Sequence, residues 1–331
     1  MGEQEATGRQ GVRWTRVLRW IAALLILALL GRLVIRHRSD LGNLRFFTVW
    51  ELVFVCILFV LYFGVRAYQF FVVLLALGCH GMKFREWFAT YITGRFANTL
   101  LGQSGAVYRA VVLKKRHQFP YTSFISADVF AAWFDVLFSL LLALVSMAIF
   151  APRQEIGGVN AQLVLLMTLV VCTGGPVVLE RGLRRIKTPW KRLDALRMKL
   201  HGMFEAALKS LCDLSVLMRM SVATLVSFAL GALFLGLSFL AIGCTVSVPA
   251  AILFLALFKL STVVVITPGN LGIRELAYGL LSAGMGIGMS EGVLASLIVR
   301  ALHYLALFPL GLFFVGREIV GARKAKSGGG E

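Results

Sequence analysis

Nine ionisable residues stand within or beside stretches of sequence that are apolar enough for a lipid bilayer. They are Arg95, Arg109, Asp128, Asp135, Lys259, Arg274, Glu275, Arg300 and His303. Charged side chains are costly at membrane depth, so each is a candidate for a binding or transport site. For each, the alternative is a structural ion pair, because buried charges must be paired whatever the function.

The balance of these charges favours an anionic ligand. With His303 left aside, five are cations and three are carboxylates. Guanidinium groups match phosphate oxygens with a planar fork of donors. Spacing groups some of them: Asp128 and Asp135 are seven residues apart and share a helix face, as do Arg300 and His303, three apart.

Two short breaks place irregular backbone beside these charges. The first break is formed by Gly102 and Gly105, and the second by Pro268, Gly269, Asn270 and Gly272. Non-helical backbone at membrane depth survives only where protein buries it or water reaches it. A helix that starts at such a break directs free N–H groups and a positive dipole end toward an anion. The sequence therefore predicts an anion site inside the membrane.

Composition indicates a multi-pass membrane protein. Of the 331 residues, 59% are hydrophobic, whereas soluble domains contain about 45–50% apolar residues. The net charge of +18 resides mainly between apolar segments, where it sets topology and attracts anionic lipid, so no nucleic-acid partner is expected. The five cysteines and five histidines form no metal-binding pattern, and neither a metal nor a cofactor is expected.

Apolar segments of about 20 residues predict six full spans. These cover 18–35, 48–66, 122–150, 160–180, 219–241 and 290–316, and two further regions, 68–104 and 250–286, are apolar but interrupted. If the Lys/Arg-rich loops are cytoplasmic, both termini lie inside and the two interrupted regions are re-entrant hairpins from opposite sides. Such pairing is typical of transporters with an inverted repeat. Ordinary kinked spans, giving up to ten helices, are the alternative.

We therefore expect an all-α polytopic helix bundle in the plasma or inner membrane, with one transmembrane domain over 18–316. Residues 1–17 and 317–331 are predicted to be cytoplasmic tails. Within the domain, 181–218 is a basic cytoplasmic segment. Its apolar residues recur at helical spacing over 190–218, which predicts an amphipathic helix on the inner leaflet or packed under the bundle.

Four motifs, in order, resemble those of one family. Asn98–Ala110 reads N-T-L-L-G-Q-S-G-A-V-Y-R-A and resembles N-x-x-L-P-G-x-x-G-x-x-x-R-A of the lysylphosphatidylglycerol synthase transmembrane-region family. Pro268–Glu275 reads P-G-N-L-G-I-R-E and is similar to its P-G-G-x-G-x-x-E. Asp135 and Arg300 match a recurrent Asp and Arg. The first motif departs from the pattern at Leu101, where the family has Pro, and Ala131-Ala132 replace an expected Glu-Arg.

The resemblance implies a flippase-like domain that handles an anionic phospholipid or a polyprenyl-phosphate-linked lipid. The implied headgroup ligands are Arg95, Asn98, Gly102, Gly105, Arg109, Pro268, Gly269, Asn270, Gly272, Arg274 and Arg300. The implied counter-charges are Asp128, Asp135 and Glu275. Family members that transfer amino acids carry a large soluble domain, whereas only about fifteen polar residues follow Gly316 here, so an enzyme is not expected.

Three functions stay open on the sequence. The first is lipid translocation, running downhill or coupled to an ion gradient, since no GxxxxGK[ST] nucleotide motif is found. The second is a non-catalytic accessory subunit that recruits a partner enzyme through 181–219. The third is a transferase or hydrolase acting on a lipid-linked sugar, with Asp40, Asp135 or Glu275 as the carboxylate base.

Overall fold

Helices make up almost all of the chain that the computed structural model describes, which comprises residues 47–101, 104–150, 155–156, 159–185, 213–263 and 272–327. The predicted span 18–35 and most of the predicted amphipathic segment, residues 190–212, lie outside the described residues. The helices are α1 Val49–Ala76, α2 Phe84–Leu101, α3 Ser104–His117, α4 Tyr121–Phe150, α5 Ala161–Arg185, α6 Leu214–Ala241, α7 Val248–Val263, α8 Ile273–Gly284 and α9 Met289–Ser327. Strands β1 Glu155–Ile156 and β2 Val159–Asn160 form an antiparallel hairpin between α4 and α5.

Four of these helices are long and apolar enough to cross a membrane. They cover Val49–Ala76, Tyr121–Ile149, Leu214–Ala241 and Met289–Val320. Two shorter apolar helices, Ala161–Gly175 and Val248–Lys259, accompany them. Large apolar side chains such as Phe54, Val129 and Leu312 are exposed on the outer faces, as expected where lipid rather than water surrounds a bundle. The predicted all-α membrane bundle is confirmed.

Helix α1 is longer than the predicted span 48–66. It begins at a capping box, in which Glu51 N–H donates to Thr48 Oγ1 and Thr48 N–H donates to Glu51 Oε2. Gly64 does not interrupt the helix, which runs on to Ala76, just before Gly78 with its φ of 91°. As a consequence Arg66, at the end of the predicted span, lies in the helix interior.

Helix α6 also begins earlier than the predicted span 219–241. The Asp213 carboxylate caps it by accepting from the Ser215 and Val216 N–H groups. Leu214 and Met218, which the periodicity assigns to the amphipathic segment 190–218, therefore belong to α6. Both are exposed on a helix apolar enough to span the membrane.

The two predicted interruptions fall between pairs of helices that pack on each other. Helix α2 ends at Leu101 and α3 begins at Ser104, and α7 ends at Val263 and α8 begins at Ile273. Helix α2 packs on α3, and α7 packs on α8. Both interrupted regions thus contain broken helices. Their entry from opposite sides of the membrane stays a prediction.

The contacts among helices α1–α4 and α6–α9 follow a repeated pattern, in which each contact keeps its counterpart when the two sets of four helices are swapped. Under this exchange α1 takes the place of α6, α2 of α7, α3 of α8 and α4 of α9. Helix α1 packs on α6, while α2 packs on α9 and α7 on α4 in turn. The segments Phe84–Arg95 and Val248–Lys259 each contain twelve residues, so Arg95 and Lys259 occupy equal positions in α2 and α7. A two-fold-related repeat produces this pattern.

Candidate intramembrane anion site

A cavity of about 590 Å³ lies where the two sets of four helices meet. This volume is within the range of roughly 300–1,000 Å³ that is usual for small-molecule sites. Its walls come from both sets, and aromatic rings of Phe59, Phe234 and Phe258 alternate with polar groups. Five cationic side chains also line it: Arg66, Arg95, Lys259, Arg274 and Arg300.

Asp135 of α4 binds two of these cations. Arg66 Nη1 and Lys259 Nζ each lie 2.9 Å from Asp135 Oδ1. Arg66 also donates to Gln69 Oε1 at 2.7 Å, and Gln69 Nε2 donates to Thr224 Oγ1 at 2.9 Å. This network joins α1, α4, α6 and α7 around one carboxylate. It leaves one positive charge in excess.

Glu275 binds the third cation. Its Oε1 lies 3.0 Å from Arg300 Nη2, and its Oε2 accepts from the Gly272 N–H at 2.8 Å. Glu275 is only 2% exposed. A carboxylate in the first turn of α8 also interacts favourably with the helix dipole. Oε2 thus accepts a hydrogen bond, whereas Oε1 makes the ion pair with Arg300 and has no hydrogen-bond donor among the described residues.

Close packing of α8 on α9 brings the Glu275 and Arg300 side chains within ion-pair distance. A Cβ placed on Gly292 would overlap the Ser282 hydroxyl and the Tyr278 carbonyl oxygen. A Cβ on Gly279 would lie 3.0 Å from the Met289 side chain. Only glycine at these two positions lets the helices approach so closely.

Arg95 and Arg274 have no carboxylate partner among the residues that the structure describes. Arg95 Nη1 donates to the Tyr91 hydroxyl at 3.3 Å, and its guanidinium lies over the Phe63 ring at 5.9 Å. Arg274 lies over the Phe258 ring at 5.5 Å and the Tyr278 ring at 5.7 Å. Its Nε is buried and has no hydrogen-bond acceptor within the described part of the chain.

Arg109 and Asp128 do not line the cavity. Arg109 is buried, lies 3.8 Å from Asp128 by its Nη2, and donates from Nε to the Gly105 carbonyl oxygen at 3.3 Å. Rings of Phe70, Tyr91 and Phe124 surround its guanidinium. The structure therefore does not bring Arg109 to the cavity that Arg274 lines. Its Nε and Nη2 instead face the Gly105 carbonyl oxygen and the Asp128 carboxylate.

Other predicted ligands are divided between the cavity and its surroundings. Asn98 lines the cavity and accepts the Gly105 N–H at 2.7 Å through Oδ1. Gly105 itself packs against α2, because a Cβ there would overlap the Gly94 carbonyl. Gly272 precedes α8 with a φ of 81°. Gly102, Pro268, Gly269 and Asn270 lie outside the described residues.

Two of the five cations that line the cavity, Arg66 and Lys259, were not in the predicted ligand set. Arg66 is the last residue of the predicted span 48–66, and the apolar residues that follow it up to Ala76 were the signal that the helix continues. Lys259 was singled out as a buried charge, but no spacing rule links it to Asp135, 124 positions away. Long-range pairs of this kind follow from helix packing rather than from local pattern.

These features define a multi-pass helical membrane protein with a cationic cavity between two broken-helix units. Residues 17–311 match the model of the lysylphosphatidylglycerol synthase transmembrane region, and the chain belongs to that family. The family is linked to lipid handling. Neither the comparison with curated proteins nor that with solved structures gives a match.

Proposed function

We propose that the protein binds the phosphate-bearing headgroup of an anionic lipid in this cavity and moves the lipid across the membrane. The observation that carries the proposal is the pair of arginines, Arg95 on α2 and Arg274 on α8, that face one cavity without a carboxylate partner among the described residues. Unbalanced cations at membrane depth are costly. An anionic ligand removes that cost.

The surroundings of both arginines suit phosphate binding. Aromatic rings support each guanidinium. Arg95 uses one donor, its Nη1, on the Tyr91 hydroxyl. Contacts with ring faces use no N–H group, so donors of both arginines stay available to phosphate oxygens. The two residues belong to different broken-helix units. A headgroup held by both would therefore link the two halves, and rocking of one half against the other would expose it alternately to the two leaflets.

The contacts of Asp135 and Glu275 favour a lipid-binding function over a catalytic one. A general base needs an oxygen that can take a proton from a substrate. Asp135 Oδ1 instead receives Arg66 and Lys259, and Glu275 receives Arg300 and the Gly272 N–H. Both groups act as counter-charges in this arrangement. The matched family region covers transmembrane sequence, which accords with a role in lipid handling rather than catalysis.

Lipid translocation by the purified full chain in liposomes tests the proposal. Fluorescent phosphatidic acid, phosphatidylglycerol and phosphatidylcholine would be compared. For each, the measured quantity is the rate at which probe from the inner leaflet moves to the outer leaflet and is quenched there by dithionite. We expect at least one anionic lipid to move faster than phosphatidylcholine. Arg95→Gln and Arg274→Gln should each slow it about tenfold or more, because each removes a charged hydrogen-bond donor.

Arg317→Gln is the matched control. Arg317 is an exposed arginine on α9, the helix that also carries Arg300, so the substitution removes equal charge outside the cavity. It should leave the rate unchanged. Wild-type rates in folded Arg95→Gln and Arg274→Gln, checked by their melting temperatures, would contradict the proposal.

A further inference from the structure

The formal charge of the cavity defines the class of headgroup more narrowly. Among the residues that the structure describes, five cations and the two carboxylates that pair with three of them leave a net charge of +3, with His303 counted as neutral. The sequences that connect α2 to α3, residues 102–103, and α7 to α8, residues 264–271, contain no ionisable residue. They therefore add no counter-charge to this sum.

A phosphodiester is too weak an anion for such a site. A headgroup such as phosphatidylglycerol carries one negative charge and would leave two positive charges uncompensated in a partly solvated cavity. A phosphomonoester carries about −1.5 to −2 at neutral pH, and a diphosphate carries at least as much. These groups also offer three or more terminal oxygens, so one headgroup can accept hydrogen bonds from more than one arginine.

A headgroup with a free amine fits poorly. A lysyl ester of phosphatidylglycerol would bring two amines and one phosphate, a net charge of about +1 from the ordinary pKa values of its groups. Both carboxylates at the cavity already bind cations at 2.9–3.0 Å. The added amines would have no carboxylate to meet among the described residues, and they would face the unpaired Arg95 and Arg274.

We infer that the ligand is a lipid whose headgroup ends in a phosphomonoester or contains a diphosphate, and which carries no amine. The inference rests on the proposed function and narrows its substrate class. It separates this chain from the cationic lipid for which its family is named.

Binding to the detergent-purified full chain tests the inference. Dioleoyl phosphatidic acid, phosphatidylglycerol and lysylphosphatidylglycerol share the same acyl chains and differ in headgroup charge, so apparent Kd values from native mass spectrometry can be compared directly. We expect phosphatidic acid to bind about tenfold or more tightly than phosphatidylglycerol, and the lysyl lipid to bind weakest. The preference for phosphatidic acid should grow as the pH rises through the second ionisation of the phosphomonoester, at about pH 6.

Variants and a competitor complete the design. Arg274→Gln and Arg95→Gln should reduce the preference for phosphatidic acid, and Arg317→Gln should retain it. Inorganic pyrophosphate should displace phosphatidic acid only at much higher concentration, because it lacks the acyl chains that partition into the detergent micelle around the protein. Displacement at equal concentration would overturn a lipid-borne ligand.

The outcomes separate the two proposals. Equal affinity for phosphatidic acid and phosphatidylglycerol, or tightest binding of the lysyl lipid, would overturn the inference while the proposed function stands. Binding of every lipid without any effect of Arg95→Gln or Arg274→Gln would overturn both.

Discussion

At the scale of single residues, arginines in this protein fall into two groups that the sequence does not distinguish. Arg109 is buried between an acid, a carbonyl oxygen and three rings. Arg274 keeps a buried Nε without an acceptor among the described residues and faces the cavity. Both stand shortly after a helix break, Arg109 at the arginine of the first family motif and Arg274 at a variable position of the second. Only packing separates the structural arginine from the candidate ligand.

Replacement of Arg109 should therefore reduce stability more than lipid binding. Arg109→Ala removes a cation–π cluster and leaves Asp128 without its partner, so we expect a loss of about 1–3 kcal/mol in the free energy of unfolding. Arg274→Ala should change the melting temperature little. Melting of both purified variants in the same detergent checks this, and a destabilised Arg274→Ala with an unaffected Arg109→Ala would contradict the assignment.

Asp135 offers a second test at this scale. Asp135→Asn removes the only carboxylate within reach of Arg66 and Lys259 among the described residues, so the two cations repel each other and gain affinity for a bound anion. We expect stability to fall by about 1–3 kcal/mol, because the cavity leaves both cations partly solvated, and phosphatidic acid to bind more tightly.

The double variant Asp135→Asn/Lys259→Gln is the control for this effect. It removes one carboxylate and one cation together, so most of the lost stability should return. Melting temperatures and apparent Kd values of the two variants measure this. A double variant that is less stable than Asp135→Asn alone would show that Lys259 has another role.

At the scale of elements, the sequence predicted which segments are helical and where two of them break, because apolar length and Pro or Gly are local signals. It placed some boundaries less well: α1 runs ten residues beyond the predicted end, and the Asp213 cap starts α6 five residues before the predicted span. The pairs Asp135–Lys259 and Glu275–Arg300 join residues far apart in the chain. No periodicity reports such contacts, so the composition of the cavity required the fold.

Helix α8 depends on its close packing with α9 to hold Glu275 near Arg300. Gly292→Val should force the two helices apart, because even a Cβ there would overlap Tyr278 and Ser282. We expect overpacking to cost about 1–3 kcal/mol and to weaken phosphatidic acid binding several-fold. Gly236→Ala is the matched control, since no atom lies within 4 Å of a Cβ at that position of α6, and it should melt at or above the wild-type temperature.

At the scale of the whole molecule, the exchange of helix contacts between the two sets of four helices suggests how one cavity could serve two leaflets. Helix α2 packs on α9 as α7 packs on α4. The halves are not equivalent in charge, since Lys259 has Asp135 as its partner while Arg95, at the equal position of α2, has no carboxylate among the described residues. This asymmetry distinguishes Arg95, one of the two cations to which we assign the headgroup, from Lys259.

Opposite entry of the two broken-helix units is the topological prediction that follows. Single cysteines at Lys83 and Lys115, which flank α2 and α3, should react with a membrane-impermeant maleimide only from the cytoplasmic side. Those at Ser247 and Ala283, which flank α7 and α8, should react only from the other side. All four positions are exposed. Labelling of Lys83 and Lys115 variants from opposite sides would show that α2 and α3 together form one broken span instead of a hairpin.

A double-mutant cycle on Arg95 and Arg274 tests the central claim most directly, because it asks whether one headgroup contacts both residues. The apparent Kd for phosphatidic acid would be measured for the full chain, Arg95→Gln, Arg274→Gln and the double variant. We expect each single substitution to weaken binding about tenfold or more. We also expect the two changes in binding free energy to be non-additive, by at least ~0.5 kcal/mol. Strictly additive effects, or no effect of either substitution, would contradict a shared anionic headgroup between the two broken helices.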